Sequence, residues 1–198
     1  RLVGSEMCIR DSLKDAPIFF SKASTLSNVS MKSLAVHIGS QLLELSPYKS
    51  AYEKIAEMTR YLRSTGHEIS HLDLGGGLGI PYSDESLADL NAYNQIILET
   101  VGDLDCKLSI EPGRYLVGEA GILITRVIYI KQGEQKKFVI VDGAMNDLIR
   151  PTLYDGFHAI VPVTEKNLSS QKSLCDVVGP ICELSLIHIS EPTRRSDI

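Results

Sequence analysis

The sequence predicts an α/β fold in which a parallel α/β unit is followed by a β-rich domain. Between residues 34 and 110, segments with strand character alternate with segments of helical spacing, the pattern of βαβ units with a parallel sheet. After Gly121, β-branched runs dominate and no helical segment of comparable strength follows. A composition of 43% hydrophobic and 23% charged residues is ordinary for a folded domain and argues against disorder.

The parallel unit is predicted from three apolar runs that two amphipathic segments separate. Each run is short and is followed by a turn containing glycine, as expected of a buried strand. Apolar residues at helical spacing, with Gly66 after the first set, mark the helices. Strands are predicted at residues 34–38, 69–74 and 107–110, and helices at residues 51–62 and 87–101.

The β-rich part is predicted from a change of pattern near residues 115–121. A long β-branched run and a second apolar run predict strands at residues 122–130 and 138–142, with a turn at Gly133-Glu134. The polar stretch 164–172 is expected to be a loop.

Charge and cysteine content exclude several classes of function. The net charge is −5, from 20 basic and 25 acidic residues, whereas a nucleic-acid binder normally carries a basic face. No apolar run is long enough for a bilayer and no signal peptide is visible, so we expect no membrane partner. Four cysteines without short paired spacings favour free thiols in the cytoplasm over disulfides or a metal site.

The two ends of the chain have an unusual relation at the DNA level. Residues 2–12 can be encoded by a DNA whose complementary strand encodes residues 184–194. Such a pair resembles a sequencing adapter read on both sides of an insert, because natural tails do not match in this way by chance. We therefore expect residues 1–12 and 184–198 to be artefacts and the remainder to be an internal fragment of a longer protein.

Candidate functional residues follow the three predicted strands of the parallel unit. The strand ends carry His37-Ile38-Gly39-Ser40, Gly75-Gly76-Gly77 and Glu111-Pro112-Gly113-Arg114. In parallel α/β folds, ligands bind beyond the carboxyl ends of the strands. We therefore expect these residues to converge on one site.

The chemistry of these residues suits a phosphorylated aromatic cofactor, although each has a structural alternative. Glycine backbone can approach a phosphate closely, but three glycines alone more often indicate a tight turn. Arg114 suits a phosphate or carboxylate and Glu111 a protonated ring nitrogen, yet either is also an ordinary surface charge. His37 can stack on a ring or transfer protons, yet a lone histidine is more often a core residue. Together they fit pyridoxal phosphate (PLP), an electron sink.

The β-rich part offers a second group of candidates. Arg150 lies four residues before Tyr154, which suits a substrate carboxylate, although an ordinary loop is the simpler interpretation. Cys182 beside Glu183 combines a proton donor with an amine-binding carboxylate. Two further cysteines, Cys106 and Cys175, are expected to be structural, with nothing basic or metal-binding around them.

Five motifs in order make the sequence resemble the bacterial diaminopimelate decarboxylase family. They cover nearly all of residues 34–183 and read HIGSQ, DLGGGLGIPY, EPGRYLVGEAG, VDGAMNDLIRPTLYDGFHAI and VVGPICE. The resemblance implies an alanine-racemase-like PLP enzyme of fold type III. It implies that residues 13–118 are the C-terminal part of a TIM (β/α)8 barrel and residues 119–183 part of a β domain.

The resemblance also implies a role for each matching residue near the cofactor. His37 would stack on the PLP ring and take part in catalysis, and Glu111 would pair with the pyridinium nitrogen. Arg114 would contact either the phosphate or the substrate carboxylate. The cofactor phosphate would be held by Ser40, Gly75, Gly76, Gly77, Gly113 and Arg114.

For the substrate, the resemblance implies decarboxylation of meso-2,6-diaminopimelate to L-lysine, the last step of bacterial lysine biosynthesis. Arg150 and Tyr154 would bind the substrate, Cys182 would donate a proton and Glu183 would bind the distal amine. The loop with Cys182 and Glu183 would reach across the interface of a homodimer.

Two departures from the family pattern bear on activity. No lysine of this chain matches the one that forms the Schiff base with PLP, which lies upstream of the matched motifs in the family. The downstream Asp-x-x-Gly-Ala-Tyr segment is also missing. We therefore expect the fragment by itself to be inactive and poorly soluble, because a partial barrel leaves open strand edges.

Two other functions remain open at this point. One is a related PLP decarboxylase acting on ornithine, lysine, arginine or carboxynorspermidine. The other is a non-catalytic homologue that regulates a decarboxylase by forming heterodimers. The motif around Arg150 and the Cys182-Glu183 pair favour the diaminopimelate enzyme over a related decarboxylase. Against a non-catalytic homologue stand the retained cofactor residues, namely His37, Gly75–Gly77, Glu111, Arg114 and Cys182.

Overall fold

The computed structural model describes residues 13–134, 136–163, 172–181 and 185–194, with the backbone alone for residues 172–174 and 185–194. The chain divides into two compact units, residues 1–81 with 85–121 and residues 82–84 with 122–198. Among the described helices, none combines the length and apolar character needed to cross a membrane.

The first unit contains a three-stranded parallel sheet. Its strands are β1 (Ser33–Ala35), β2 (His71–Gly76) and β3 (Lys107–Glu111), in the order β1-β2-β3. The central strand pairs on both sides, with Leu72 opposite Leu34 and Leu108. The predicted parallel α/β unit is confirmed at this level, whereas a closed barrel is not among the described residues.

The described residues of this unit form four α-helices: α1 (Ala16–Ala23), α2 (Ser46–Ser64), α3 (Leu90–Val101) and α4 (Gly113–Val117). α2 begins earlier than predicted, with Pro47 in its first turn, where proline costs no hydrogen bond. α3 begins at Leu90 because the Asp89 side chain accepts a hydrogen bond from the Asn91 N–H at 2.8 Å. Leu87 therefore precedes the helix and is exposed.

The core of the first unit lies between β2 and the two long helices. Leu72 and Leu74 of β2 are almost completely buried, and each such side chain contributes about 1.5–3 kcal/mol when buried. The helices cover them with aliphatic and tyrosine side chains: Tyr48, Tyr52, Ile55, Leu62, Tyr93 and Val101.

In the second unit, the residues that the structure describes form a four-stranded mixed sheet and one short helix. The strands are β4 (Val127–Gln132), β5 (Lys137–Val141), β6 (Lys172–Val178) and β7 (Ser185–Arg194), in that order. β5 and β6 are parallel, whereas the outer two pairs are antiparallel. The short helix is α5 (Arg150–Tyr154).

Three element predictions need correction. The strand predicted at residues 34–38 ends at Ala35, because the register of β2 shifts after Asp73, the partner of Ala35. The strand predicted at residues 122–130 begins at Val127, which is already opposite Val141, the last residue of β5. The segment around Arg150 is a short helix rather than a loop.

Parts of the remaining predictions lie outside the described residues. Residues 164–171 of the predicted loop are among these, and Lys172 begins β6. Residues 1–12 also lie outside them, whereas Ser185–Arg194 forms β7. The strand assignment does not test the origin of these end segments, so the adapter interpretation stays a prediction.

Candidate functional site

The polar turns after β1, β2 and β3 lie together at the carboxyl edge of the first sheet. Gly76 at the end of β2 is the register partner of Glu111 at the end of β3. On the other side, the Leu42 N–H donates to the Gly77 carbonyl at 2.9 Å. The sheet order therefore brings the predicted residues of the first unit to one edge.

The three consecutive glycines are required by close packing of main chains. A Cβ at Gly75 would overlap the Val36 carbonyl, and one at Gly76 would overlap the Glu111 carbonyl. Gly75 and Gly77 also have positive φ angles of 69° and 92°, which side chains other than glycine rarely adopt. The turn is thus both tight and wedged between its neighbouring strand ends.

Side chains that the sequence analysis did not single out hold this turn. The Asp73 carboxylate accepts a hydrogen bond from the Gly75 N–H at 2.8 Å. The Tyr48 hydroxyl donates to the Gly76 carbonyl at 3.3 Å, and the Tyr52 hydroxyl to the Leu74 carbonyl at 3.2 Å. Both tyrosines point from α2 toward β2, and their spacing of four residues was the only sequence signal for this role.

Burial of the tyrosine cluster changes its acid–base behaviour. The hydroxyls of Tyr52 and Tyr93 are 2.7 Å apart. Burial raises the pKa of both phenols and raises the pKa of Tyr48 to about 12, because a phenolate would lose its hydration. These groups therefore act as neutral hydrogen-bonding partners near neutral pH.

His37 lies beside the glycine turn. It is half-buried, and its Nδ1 is 3.5 Å from the Gly76 nitrogen, a long and weak hydrogen bond. The ring is therefore next to the backbone that the sequence analysis assigned to the same site.

Arg114 is held by a residue of the first turn. Its Nη1 donates to Gln41 Oε1 at 3.0 Å. Gln41 in turn contacts both backbone groups of Ile80, donating to the carbonyl at 2.6 Å and accepting from the N–H at 3.3 Å. Gln41 has a φ of 60°, an unusual conformation that these contacts stabilise. It was part of a quoted motif, but no sequence pattern indicated its contact with Arg114.

Several polar groups at this edge are exposed. Ser40, Glu111 and Gly113 are exposed. None of the described residues forms a hydrogen bond with the Ser40 hydroxyl. A hydroxyl and an arginine beside glycine backbone are groups that suit a phosphate.

In the second unit, Arg150 contacts aromatic rings from two other segments. Its Cζ lies 4.4 Å from the centre of the Tyr82 ring, and its Nη1 is 3.1 Å from His158 Nε2. Tyr154 at the end of α5 is 62% exposed, so the structure does not bring it into this cluster of contacts. Cys182 and Glu183 lie outside the described residues.

The two remaining cysteines differ from each other. Cys175 is buried in the second sheet. The expectation that Cys106 has no basic neighbour is wrong, because α2 brings Arg63 Nη2 to 3.1 Å from its Sγ. Within the described part of the chain, no group of His, Cys, Asp and Glu residues is arranged to hold a metal ion.

Comparisons with known proteins agree on one family. A family model described as pyridoxal-dependent decarboxylase, C-terminal sheet domain, matches residues 11–187. Diaminopimelate decarboxylase of Neisseria meningitidis serogroup A is 47% identical over 169 residues, which are 85% of this chain and 41% of the relative. That of Aquifex aeolicus is 42% identical over 93% of this chain and 45% of the relative. The chain thus spans about two fifths of the length of these relatives.

Solved structures give the same result. The crystal structure of AQ1208 from Aquifex aeolicus superimposes with a TM-score of 0.88 at 37% identity, covering 94% of this chain and 46% of that one. Diaminopimelate decarboxylase from Helicobacter pylori complexed with L-lysine gives 0.81 at 40% identity, covering 92% and 46%. Lysine/ornithine decarboxylase from Vibrio vulnificus also gives 0.81, but at 18% identity it shows the fold alone.

Proposed function

Because this chain belongs to the pyridoxal-dependent decarboxylase family, we propose that the protein containing it converts meso-2,6-diaminopimelate to L-lysine and CO2. The observation that carries the choice of substrate is the identity of 42–47% to diaminopimelate decarboxylases over most of the chain. Lysine/ornithine and arginine decarboxylases of the same fold are only 18% identical.

We propose that residues 13–118 form the C-terminal part of a TIM barrel and residues 119–183 part of the β domain. Three parallel strands with intervening helices support this, as does the apolar surface left on β3. Leu108 and Ile110 alternate on one face of β3 and are 37% and 47% exposed. β3 is also an edge strand of the described sheet. Further barrel strands in the longer protein would pair with this edge and cover the apolar face.

The carboxyl edge of the first sheet would hold PLP, and its residues fit that cofactor. The glycine turn has no room for side chains because neighbouring main chain packs against it, whereas a Cβ at Gly113 would meet nothing within 4 Å. The main chain at Gly113 is therefore open to a phosphate. The Ser40 hydroxyl and Arg114 would supply donors, and the glycines at positions 75, 76, 77 and 113 would let the phosphate approach the backbone.

PLP, when bound, supplies an electron sink for the bond that breaks. Glu111 would accept a hydrogen bond from the protonated ring nitrogen and keep that proton in place. His37, half-buried beside Gly76, would stack on one face of the ring and fix its orientation.

The substrate would be recognised by its second amino acid centre. Arg150 would bind the distal carboxylate with Tyr154, and Glu183 the distal amine, because buried polar partners penalise substrates that lack them. Cys182 would donate the proton that replaces CO2. We propose that Cys182 and Glu183 come from the partner subunit of a homodimer.

The test is an assay of the full-length protein loaded with PLP. We expect CO2 and L-lysine from meso-diaminopimelate, and little turnover of ornithine, lysine, arginine or carboxynorspermidine. Glu111→Ala should abolish turnover, whereas the nearby exposed Glu119→Ala should leave it unchanged. Preferred turnover of another amino acid would make the protein a related decarboxylase. Absence of any turnover, with binding to another decarboxylase, would make it a regulator.

A further inference from the structure

The guanidinium of Arg150 is enclosed on three sides by its own unit. Tyr82 lies against its face, with Cζ 4.4 Å from the ring centre. The ring of Tyr82 also meets the His158 ring edge-on, at 5.6 Å between centroids and 79° between planes. On a third side, a Cβ at Gly156 would lie 3.1 Å from Arg150 Cζ, so the guanidinium packs against that backbone.

The contact between Arg150 and His158 determines which ring nitrogen carries the proton. A guanidinium has five N–H donors and no acceptor. Nε2 of His158, 3.1 Å from Arg150 Nη1, must therefore be the acceptor, which places the proton of the neutral ring on Nδ1.

These partners orient the arginine without neutralising it. A phenol ring and a neutral imidazole carry no net charge, and no described carboxylate forms an ion pair with Arg150. The positive charge and most of the N–H donors stay available for an incoming carboxylate, which a guanidinium binds best through two parallel hydrogen bonds.

We propose that Tyr82 and His158 are positioning residues that hold Arg150 ready for the distal carboxylate of the substrate. The proposal rests on the proposed function, since that function assigns the carboxylate to Arg150. Holding the side chain in advance removes the cost of immobilising a long, flexible group when the ligand binds. Tyr82 and His158 thereby strengthen recognition of ligands that carry a carboxylate at this position.

Ligand binding tests the proposal without requiring turnover. Calorimetry on the PLP-loaded full-length protein would compare L-lysine, which retains the distal carboxylate, with cadaverine, which has no carboxylate. Tyr82→Leu and His158→Leu remove the ring and the acceptor. Tyr82→Phe and His158→Gln are matched controls that keep a ring and an acceptor.

We expect each leucine variant to bind L-lysine about 5- to 10-fold more weakly, the effect of losing one cation–π contact or one hydrogen bond to a charged group. The phenylalanine and glutamine variants should bind L-lysine like the wild type. Cadaverine affinity should not change in any variant.

Three results would overturn the proposal. Equal weakening of L-lysine and cadaverine would mean general damage to the fold, as a lowered unfolding temperature would also show. Unchanged L-lysine affinity in both leucine variants would mean that Arg150 needs no support. Failure of the wild type to bind L-lysine would mean that Arg150 does not bind the distal carboxylate. If the wild type binds L-lysine but does not decarboxylate diaminopimelate, only the proposed function fails.

Discussion

Replacing Gly76 by alanine tests the central feature of the candidate site, the wedging of the glycine turn between strand ends. Gly76 lies at the end of β2, opposite Glu111 of β3. Its φ angle is not in the left-handed region that favours glycine, so an alanine faces no conformational penalty of that kind. The cost comes from the new methyl group, which would overlap the Glu111 carbonyl oxygen.

The magnitude follows from the atoms involved. The obstacle at Gly76 is the main chain of β3, which cannot rotate away as a flexible side chain could. Overpacking of this kind costs about 1–3 kcal/mol, which corresponds to roughly 2–12 °C in melting temperature for a domain of 150–250 residues. A shift of β3 would also move Glu111, so PLP should bind at least about tenfold more weakly, a further ~1.4 kcal/mol.

The assay is thermal unfolding of the full-length protein with and without PLP, and the matched control is Gly102→Ala. Gly102 has a φ of −64°, and the nearest atom to its added Cβ would be Leu98 Cδ2 at 3.8 Å. The control should change stability by less than about 0.5 kcal/mol. If Gly76→Ala melts and binds PLP like this control, the steric account of the turn is wrong.

Three further predictions follow. Gln41→Leu removes the contacts to Arg114 and Ile80, so it should raise the Kd for inorganic phosphate and PLP about 3- to 10-fold; unchanged affinity would contradict this. Burial raises the pKa of Tyr52 and Tyr93, so their contribution to stability is complete below pH ~10 and is lost as pH rises further. Tyrosinate absorbance should therefore rise together with unfolding. Titration of these two tyrosines at ordinary pKa values, independent of unfolding, would refute this prediction. The 198-residue chain expressed alone should be poorly soluble and inactive, and a monodisperse, decarboxylating preparation in size-exclusion chromatography would overturn that expectation.

Local patterns in the sequence were sufficient for β2 and β3 of the first sheet and for the residues at their ends, whereas the end of β1 was predicted too late. Apolar runs followed by glycine indicated β2 and β3 to within about two residues, because a buried parallel strand must be apolar and must end in a turn. The position of α3 was less accurate, since periodicity included Leu87. Asp89 caps the helix, and its presence in the sequence marks the correct beginning at Leu90.

Those local patterns do not show which strands pair with each other. The beginning of β4 depends on where β5 ends, since Val127 needs Val141 as its partner. A β-branched run such as residues 122–126 does not form a strand unless another strand lies beside it, because strand hydrogen bonds join different segments.

The sequence by itself determined which chemical groups stand at the ends of three parallel strands, because strand direction and turn position follow from local patterns. Only the tertiary structure decided which neutral side chains support them. Tyr48 reaches the glycine turn from 28 residues away, and Gln41 meets Arg114 across 73 residues. Such contacts depend on how helices and loops pack in space. A hydrogen bond of about 1 kcal/mol between distant residues leaves no regular spacing in the sequence from which it could be predicted.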